Sequence, residues 1–182
     1  LDALTLKNYF HSQGFLNAII NESYLIENVF ADLFFNIVEG KQFFVSNINI
    51  HGNKLISNNE LKSILGITVN QPYNPVRINE NFTLLENRYH EFGKLFVKLK
   101  IQDEVSDSVA INIIIDEGPD VVIHRTFIDE GIDSVQVFRE LRYNRGDVYS
   151  LSKMDLSKRR LRETGIFSMV NLTPVKVSDS DS

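Results

Sequence analysis

The chain has 182 residues and no cysteine, which excludes a disulfide-bonded scaffold and thiolate metal sites. Its formal net charge of −5 argues against a nucleic acid as the main partner, because phosphate contacts require a basic surface. With 43% hydrophobic and 24% charged residues the composition is that of an ordinary globular chain. No stretch approaches the roughly 18 apolar residues of a membrane-spanning helix.

A repeated pattern organises the chain: a helix that ends in glycine, then two apolar strands, the second of which closes on Glu-Gly. The first copy has its helix before Gly14, a strand from Phe15 to Glu22, and a strand that ends at Glu39-Gly40. The second copy has Gly93 and Glu117-Gly118 at the same places. The offsets are 93 − 14 = 79 and 117 − 39 = 78 residues. Repetition at this period predicts an array of small modules.

A third copy begins at Gly165 with IFSMVNLTPVKV, 72 residues after Gly93 (165 − 93), and no closing strand follows it. The Ser-Asp-Ser-Asp-Ser run, Ser178 to Ser182, is interpreted as a hairpin turn. We therefore expect three units: residues 1–41 as the C-terminal part of one module, 42–119 as a complete module, and 120–182 as a module without its last strand. The chain opens on a helix without a signal peptide, which indicates an excised fragment.

The complete copy opens with a strand and two helices. FFVSNINI (Phe43 to Ile50) alternates, which predicts a half-buried strand with Phe44, Ile48 and Ile50 on one face and Asn47 and Asn49 on the other. Ser57 and Glu60 have capping-box spacing and predict a short helix, with Leu61, Ile64 and Leu65 inward, that ends at Gly66. A longer helix is expected from about Val76 to Phe92. Its apolar stripe consists of Ile78, Phe82, Leu85, Tyr89 and Phe92.

Two strands close this copy. Leu95 to Gln102 alternates between apolar and polar residues, which is typical of a strand with one solvated face. VAINIIID (Val109 to Asp116) is apolar on both faces, which predicts a central strand. The order β-α-α-β-β predicts an α+β fold in which two helices pack on one face of a three-stranded mixed sheet.

The last copy is expected to start in the same way. VVIHRTFI (residues 121–128) is predicted as a strand, Gly131 as a turn, and Ser134 to Leu141 as a short helix. A second helix is expected near Ser152, with Asp155 completing a weaker capping box.

The unit resembles the polypeptide-transport-associated (POTRA) domain, a periplasmic module found before the barrel of outer-membrane assembly and translocation proteins. The resemblance rests on INIHGNKLISNNEL (residues 48–61), NRYHEFGKLFVKL (87–99) and INIIIDEGP (111–119), and on the same order of elements in the last copy. The last copy departs at Asp129 to Ile132, where the family often has Gly-Asn. Within the family, the assembly proteins fit better than two-partner secretion transporters, which usually carry two copies. The latter remain an alternative.

The resemblance implies a periplasmic scaffold that is not an enzyme and needs no cofactor. Its implied partners are unfolded outer-membrane proteins, accessory lipoproteins and the chain's own outer-membrane barrel, with no nucleic acid. Binding is expected by addition of an extended segment to an exposed sheet edge. The candidate edge residues are Leu95, Phe96, Val97, Lys98, Leu99, Lys100, Ile101, Ile166, Phe167, Met169 and Val170.

Other signals in the sequence are weak. The histidines at positions 11, 51, 90 and 124 lack metal-ligand spacing, and Asp179 and Asp181 lack the rest of a calcium loop. The basic run at residues 158–162 is interpreted as a solvated helix face. An α+β enzyme domain and a nucleic-acid-binding module are the competing classes, and neither has a supporting constellation of residues.

Overall fold

The protein is described here by a computed structural model that covers residues 2–167 and 169–175. The elements in chain order are α1 (Ala3–Ser12), β1 (Ile19–Glu27), β2 (Phe30–Val38), β3 (Val45–His51), α2 (Asn58–Leu65), α3 (Pro75–Glu91), β4 (Lys98–Val105), β5 (Val109–Asp116), α4 (Ser134–Glu140) and α5 (Leu151–Glu163). They belong to two compact units, one of residues 1–86 with 97–117 and one of residues 87–96 with 118–182. No helix in the described part of the chain is long and apolar enough to cross a membrane.

The first unit begins with α1 and an antiparallel hairpin, as the first repeat predicts. Asp2 caps α1 by accepting a hydrogen bond of 2.7 Å from the backbone N–H of Thr5. β1 and β2 pair from Ile19 with Val38 to Glu27 with Phe30. The first strand therefore starts four residues later than the predicted Phe15, because Ile19 is the first residue with a partner on β2.

A three-stranded mixed sheet with the order β3-β5-β4 forms the centre of this unit. β3 runs parallel to β5, and β4 runs antiparallel to it. The α+β class, the β-α-α-β-β order and the central position of VAINIIID are confirmed. The parallel pair requires a crossover connection, which α2 and α3 supply.

The helices cover one face of the sheet only. Val109, Ile111 and Ile113 on β5 are completely buried, as are Leu61 and Leu65 on α2. On the opposite face Ile114 is 44% exposed, in agreement with the predicted packing of both helices on one face of the sheet. This open face carries a row of polar contacts instead, in which Asn49 donates to Asn112 and Asn112 to Glu104.

The predicted face of Phe44 was also wrong. A register shift between Val45 and Asn47 inserts an extra residue into β3. Such a bulge reverses the alternation of side chains. Val45 therefore points inward together with Ile48, while Phe44 lies on the exposed side. Strict alternation along the sequence cannot reveal this insertion.

The helix signals are largely confirmed. Ser57 caps α2 by accepting from the N–H of Glu60 at 3.2 Å, and Gly66 ends it with the left-handed φ of 68°. α3 ends at Glu91, and Gly93 follows with φ 81°. Phe92 lies beyond the helix and is exposed, with its ring 4.4 Å from the Arg88 guanidinium, so it is not part of the buried stripe.

In the second unit, α4 and α5 pack around one hydrophobic cluster. Its buried members are Val137, Leu141, Tyr143, Tyr149, Met154 and Leu161. The short helix is confirmed at Ser134. The second helix is capped by Ser150, which accepts from the N–H of Lys153 at 3.3 Å, so the predicted capping box from Ser152 to Asp155 was wrong.

The strands predicted for the last copy are not formed in the described residues. Residues 121–128 hold only an isolated bridge between Val122 and Val148, and residues 166, 167 and 169–175 form no strand. A strand needs a hydrogen-bonded neighbour, and in the complete copy β5 serves both flanking strands. Here the two segments border an apolar groove of about 520 Å³. The predicted hairpin turn at residues 178–182, and the end of the predicted strand at Lys176 and Val177, lie outside the described residues.

Candidate functional site

The edge strand β4 is the candidate binding site, because β5 occupies only one of its sides in the sheet. Of the predicted edge residues, Lys98, Leu99, Lys100 and Ile101 lie on this strand. The strand runs on to Val105, three residues beyond the predicted Gln102. Leu99 and Ile101 are half-buried toward the helices, whereas Lys98 and Lys100 are exposed.

Leu95, Phe96 and Val97 precede the strand, contrary to the prediction. The ladder starts where Lys98 faces Asp116. Gly118 turns the backbone away from the ladder with φ 64°, and Pro119 has no N–H to donate. The other four candidates, Ile166, Phe167, Met169 and Val170, lie in the second unit and form no strand.

A buried tyrosine holds β4 to the loop before α3. The hydroxyl of Tyr73 donates a hydrogen bond to the carboxylate of Asp103. Burial, together with this carboxylate, raises the pKa of Tyr73 well above its ordinary value, so the hydroxyl remains a donor. This contact could not be predicted from the sequence, since no local pattern links residues 30 positions apart.

The Glu-Gly pair at the end of β5, Glu117-Gly118, has a structural role. The carboxylate of Glu117 is buried and accepts hydrogen bonds from the backbone N–H groups of Lys54 at 2.7 Å and Leu55 at 2.8 Å. It therefore fixes the turn that follows β3. The turn also brings Gly52, with φ 88°, directly against the backbone of Ile115.

In each unit, an equivalent pair of backbone hydrogen bonds joins the end of one copy to the start of the next, and this pair is called the clasp. The N–H of Phe43 donates to the carbonyl of Gly14, and the N–H of Tyr73 to the carbonyl of Phe43, both at 2.9 Å. In the second unit, Val121 donates to Gly93 and Tyr149 to Val121 at the same distance. The glycine that ends the helix thus offers its carbonyl to the first residues of the next copy.

In the described part of the chain, no group of three or more His, Asp or Glu side chains could hold a metal ion. The outer side of β4 presents backbone N–H and C=O groups, flanked by charged side chains. An extended segment of another chain fits such an edge.

Sequence comparison relates the chain to outer-membrane assembly factors. Residues 43–118 match the POTRA family, described as "surface antigen variable number repeat". The outer membrane protein assembly factor BamA of Buchnera aphidicola is 22% identical over 185 residues, which cover 97% of this chain and 30% of that protein. The chain therefore spans less than a third of the length of this relative.

Solved structures show the same fold. The crystal structure of POTRA domains 3–5 of Haemophilus influenzae BamA matches with a TM-score of 0.63 and 20% identity, over 97% of this chain and 74% of that one. BamA from Haemophilus ducreyi lacking POTRA domains 1–3 matches with a TM-score of 0.62 and 22% identity, over 76% of this chain and 27% of that one. Together with the family match over residues 43–118 and the β-α-α-β-β order, these similarities confirm the resemblance, and the fold of this chain is that of POTRA domains.

Proposed function

We propose that this chain is a periplasmic module of an outer-membrane protein assembly factor, and that it acts as a scaffold and not as an enzyme. The similarity of almost the whole chain to the BamA of Buchnera aphidicola supports this proposal. Its partners would be unfolded outer-membrane proteins, accessory lipoproteins and the chain's own membrane barrel.

The unpaired side of β4 is the observation that carries the proposed binding mode. An edge strand offers main-chain donors and acceptors to an extended chain almost without regard to its sequence. Strands of outer-membrane barrels alternate between apolar and polar residues and are about ten residues long. Such a segment would pair along Lys98 to Val105 with its apolar side chains on the side of Leu99 and Ile101.

We expect an alternating apolar and polar peptide of about ten residues to broaden or shift the backbone amide signals of β4 in an NMR titration. Signals of β5 should change less, because both of its sides are already paired. Nuclear Overhauser contacts between α-protons of the peptide and of β4 would demonstrate strand addition directly.

A peptide of equal length and hydrophobicity, with proline at every second position, is the matched control. It keeps the apolar side chains but lacks the main-chain N–H of every second residue, so it cannot form a regular strand ladder. Equal binding of both peptides would exclude edge pairing, and unchanged amides of residues 98–105 would remove β4 as the site.

The two exposed lysines of β4 are expected to keep this edge from pairing with itself, since lysine on an edge strand opposes aggregation. The double variant Lys98→Val/Lys100→Val should self-associate with rising concentration in analytical ultracentrifugation. The variant Lys7→Val/Lys54→Val makes the same change of charge at exposed positions away from β4 and should stay monomeric. A monomeric Lys98→Val/Lys100→Val protein would show that these lysines are merely a solvated strand face.

We also propose that residues 1–41, 42–119 and 120–182 are successive POTRA copies, the first and last of them incomplete. The recurrence of the clasp at Gly14 and at Gly93 supports this division. The apolar groove beside residues 121–127 agrees with a last copy whose closing strand is not among the described residues.

A further inference from the structure

Glu91, the last residue of α3, makes contacts beyond its own helix. Its carboxylate accepts hydrogen bonds from the hydroxyl of Ser150 at 2.8 Å, the backbone N–H of Ser152 at 2.8 Å and the hydroxyl of Ser152 at 2.7 Å. All three donors lie at the start of α5. These residues belong to the same compact unit, which includes residues 87–96.

The start of α5 is a place where a negative charge is stabilising. The first N–H groups of a helix have no partner within the helix, and the aligned peptide dipoles leave partial positive charge there. α5 has no acidic residue in its own first turn. The Ser150 hydroxyl, which donates to Glu91, also accepts from the N–H of Lys153 at 3.3 Å. Glu91 and Ser150 therefore cap this helix together.

The corresponding place in the first unit is built differently. Ser12 stands 79 residues before Glu91 (91 − 12), and its hydroxyl donates to the carbonyl of Tyr9 in its own helix. α3 is capped by Asn74, which directly precedes it and accepts from the N–H of Arg77 at 2.8 Å. Asparagine does not titrate, so the cap of α3 does not depend on pH, in contrast to the contact of Glu91 with α5.

We propose that the carboxylate of Glu91 holds the first turn of α5 as a cap supplied by α3, and that acid releases this turn. Residues 87–96 are then an obligatory part of the unit that contains α5. The proposal concerns the integrity of that unit and is independent of peptide binding at β4.

The charged groups around Glu91 determine the direction of the acid effect. The positive charge of Arg88 on α3 acts on Glu91, and Lys153 on α5 pairs with Asp147. The negative charges of Glu91 and Asp155 both act on Tyr149. Partial burial raises the pKa of Glu91, but the hydrogen bonds from Ser152 and Ser150 and the charge of Arg88 outweigh it. The pKa is therefore held below its ordinary value.

Because the pKa of Glu91 is lowered in the folded state, protonation by acid weakens the cap. The cap is fully present above the pKa of an unfolded glutamate, about 4.3. It is lost as the pH falls below that value and through the lower pKa of the folded state. The first turn of α3, held by Asn74, should show no such dependence.

The test is backbone amide hydrogen exchange of the full chain, expressed as protection factors at neutral and acidic pH. In Glu91→Gln the amides at the start of α5, from Ser152 to Asp155, should exchange about five- to ten-fold faster at neutral pH, as for a lost helix cap. In the unchanged protein the same loss should appear only on acidification. Glu80→Gln removes an equal charge from an exposed position of α3 and should leave these amides unchanged.

Protection of Leu161, at the buried far end of α5, distinguishes local release from unfolding of the unit. If Glu91→Gln unfolds the unit, Ser152→Ala removes one hydroxyl contact and should still give a smaller local loss. Equal protection at Ser152 to Asp155 in Glu91→Gln and the unchanged protein would overturn the proposal. So would an acid-induced loss of the same size in both proteins.

Discussion

Replacing Gly52 by alanine is expected to destabilise the first unit by about 3 to 5 kcal/mol. Gly52 has φ 88°, a conformation that costs a residue with a side chain about 1 to 2 kcal/mol. A methyl group there would also overlap the carbonyl oxygen of Ile115, which belongs to the central strand β5. The strand or the turn must therefore move. Urea denaturation followed on the amides of β5 measures the loss.

Gly40→Ala is the matched control, because Gly40 lies in the same unit with φ 74° but meets its nearest atom, the Cβ of Asn17, at 3.5 Å. This is an ordinary van der Waals distance, so only the backbone penalty of about 1 kcal/mol should remain. If the two substitutions cost the same, the close approach of Gly52 to β5 contributes nothing to stability.

Replacing Glu117 by alanine is expected to destabilise the first unit by about 2 to 3 kcal/mol. The substitution leaves the N–H groups of Lys54 and Leu55 without their acceptor and removes a buried charge-assisted pair of hydrogen bonds. The turn after β3 should loosen with it. The free energy of unfolding from urea denaturation, together with faster amide exchange at Lys54 and Leu55, measures this effect.

Glu39→Ala provides the comparison, since Glu39 occupies the same place in the first copy, 78 residues earlier (117 − 39), and is exposed. Its loss should change the unfolding free energy by no more than about 0.5 kcal/mol. A similar loss of unfolding free energy in both variants would mean that the Glu-Gly pair stabilises the strand end by itself, without the contact to the turn.

Local signals in the sequence predicted the helices well. Ser57, Glu60 and Gly66 mark both ends of α2, and the glycine at position 93 follows the end of α3, because helix ends are determined by residues a few positions apart. The capping of α5 could not be predicted, because it depends on a residue far away in the sequence. Its acid is Glu91, 61 positions before Ser152, and no local pattern connects them.

The strands show where prediction from sequence fails. Lys98 begins β4 and Leu95 does not, because pairing depends on where β5 ends. The bulge in β3 turned Phe44 outward, which alternation alone could not show. Residues 121–128 resemble β3 in sequence yet form no strand in the described structure, because their pairing is limited to the isolated bridge between Val122 and Val148. Ile166, Phe167, Met169 and Val170 likewise form no strand in the described structure.

The repeat, the β-α-α-β-β order and the POTRA resemblance could be predicted without coordinates, because spacing, caps and hydrophobic periodicity are properties of neighbouring residues. Only the tertiary structure shows which of the repeated residues make contacts that stabilise the fold. Gly52 and Gly131 stand 79 residues apart, yet a methyl group on the first would strike β5, and one on the second would meet no described atom within 4 Å. The contacts of Glu117, Tyr73 and Glu91 could likewise be seen only in the tertiary structure. Their partners are brought to them by chain folding, and the energy of a buried hydrogen bond depends on that partner and not on the residue alone.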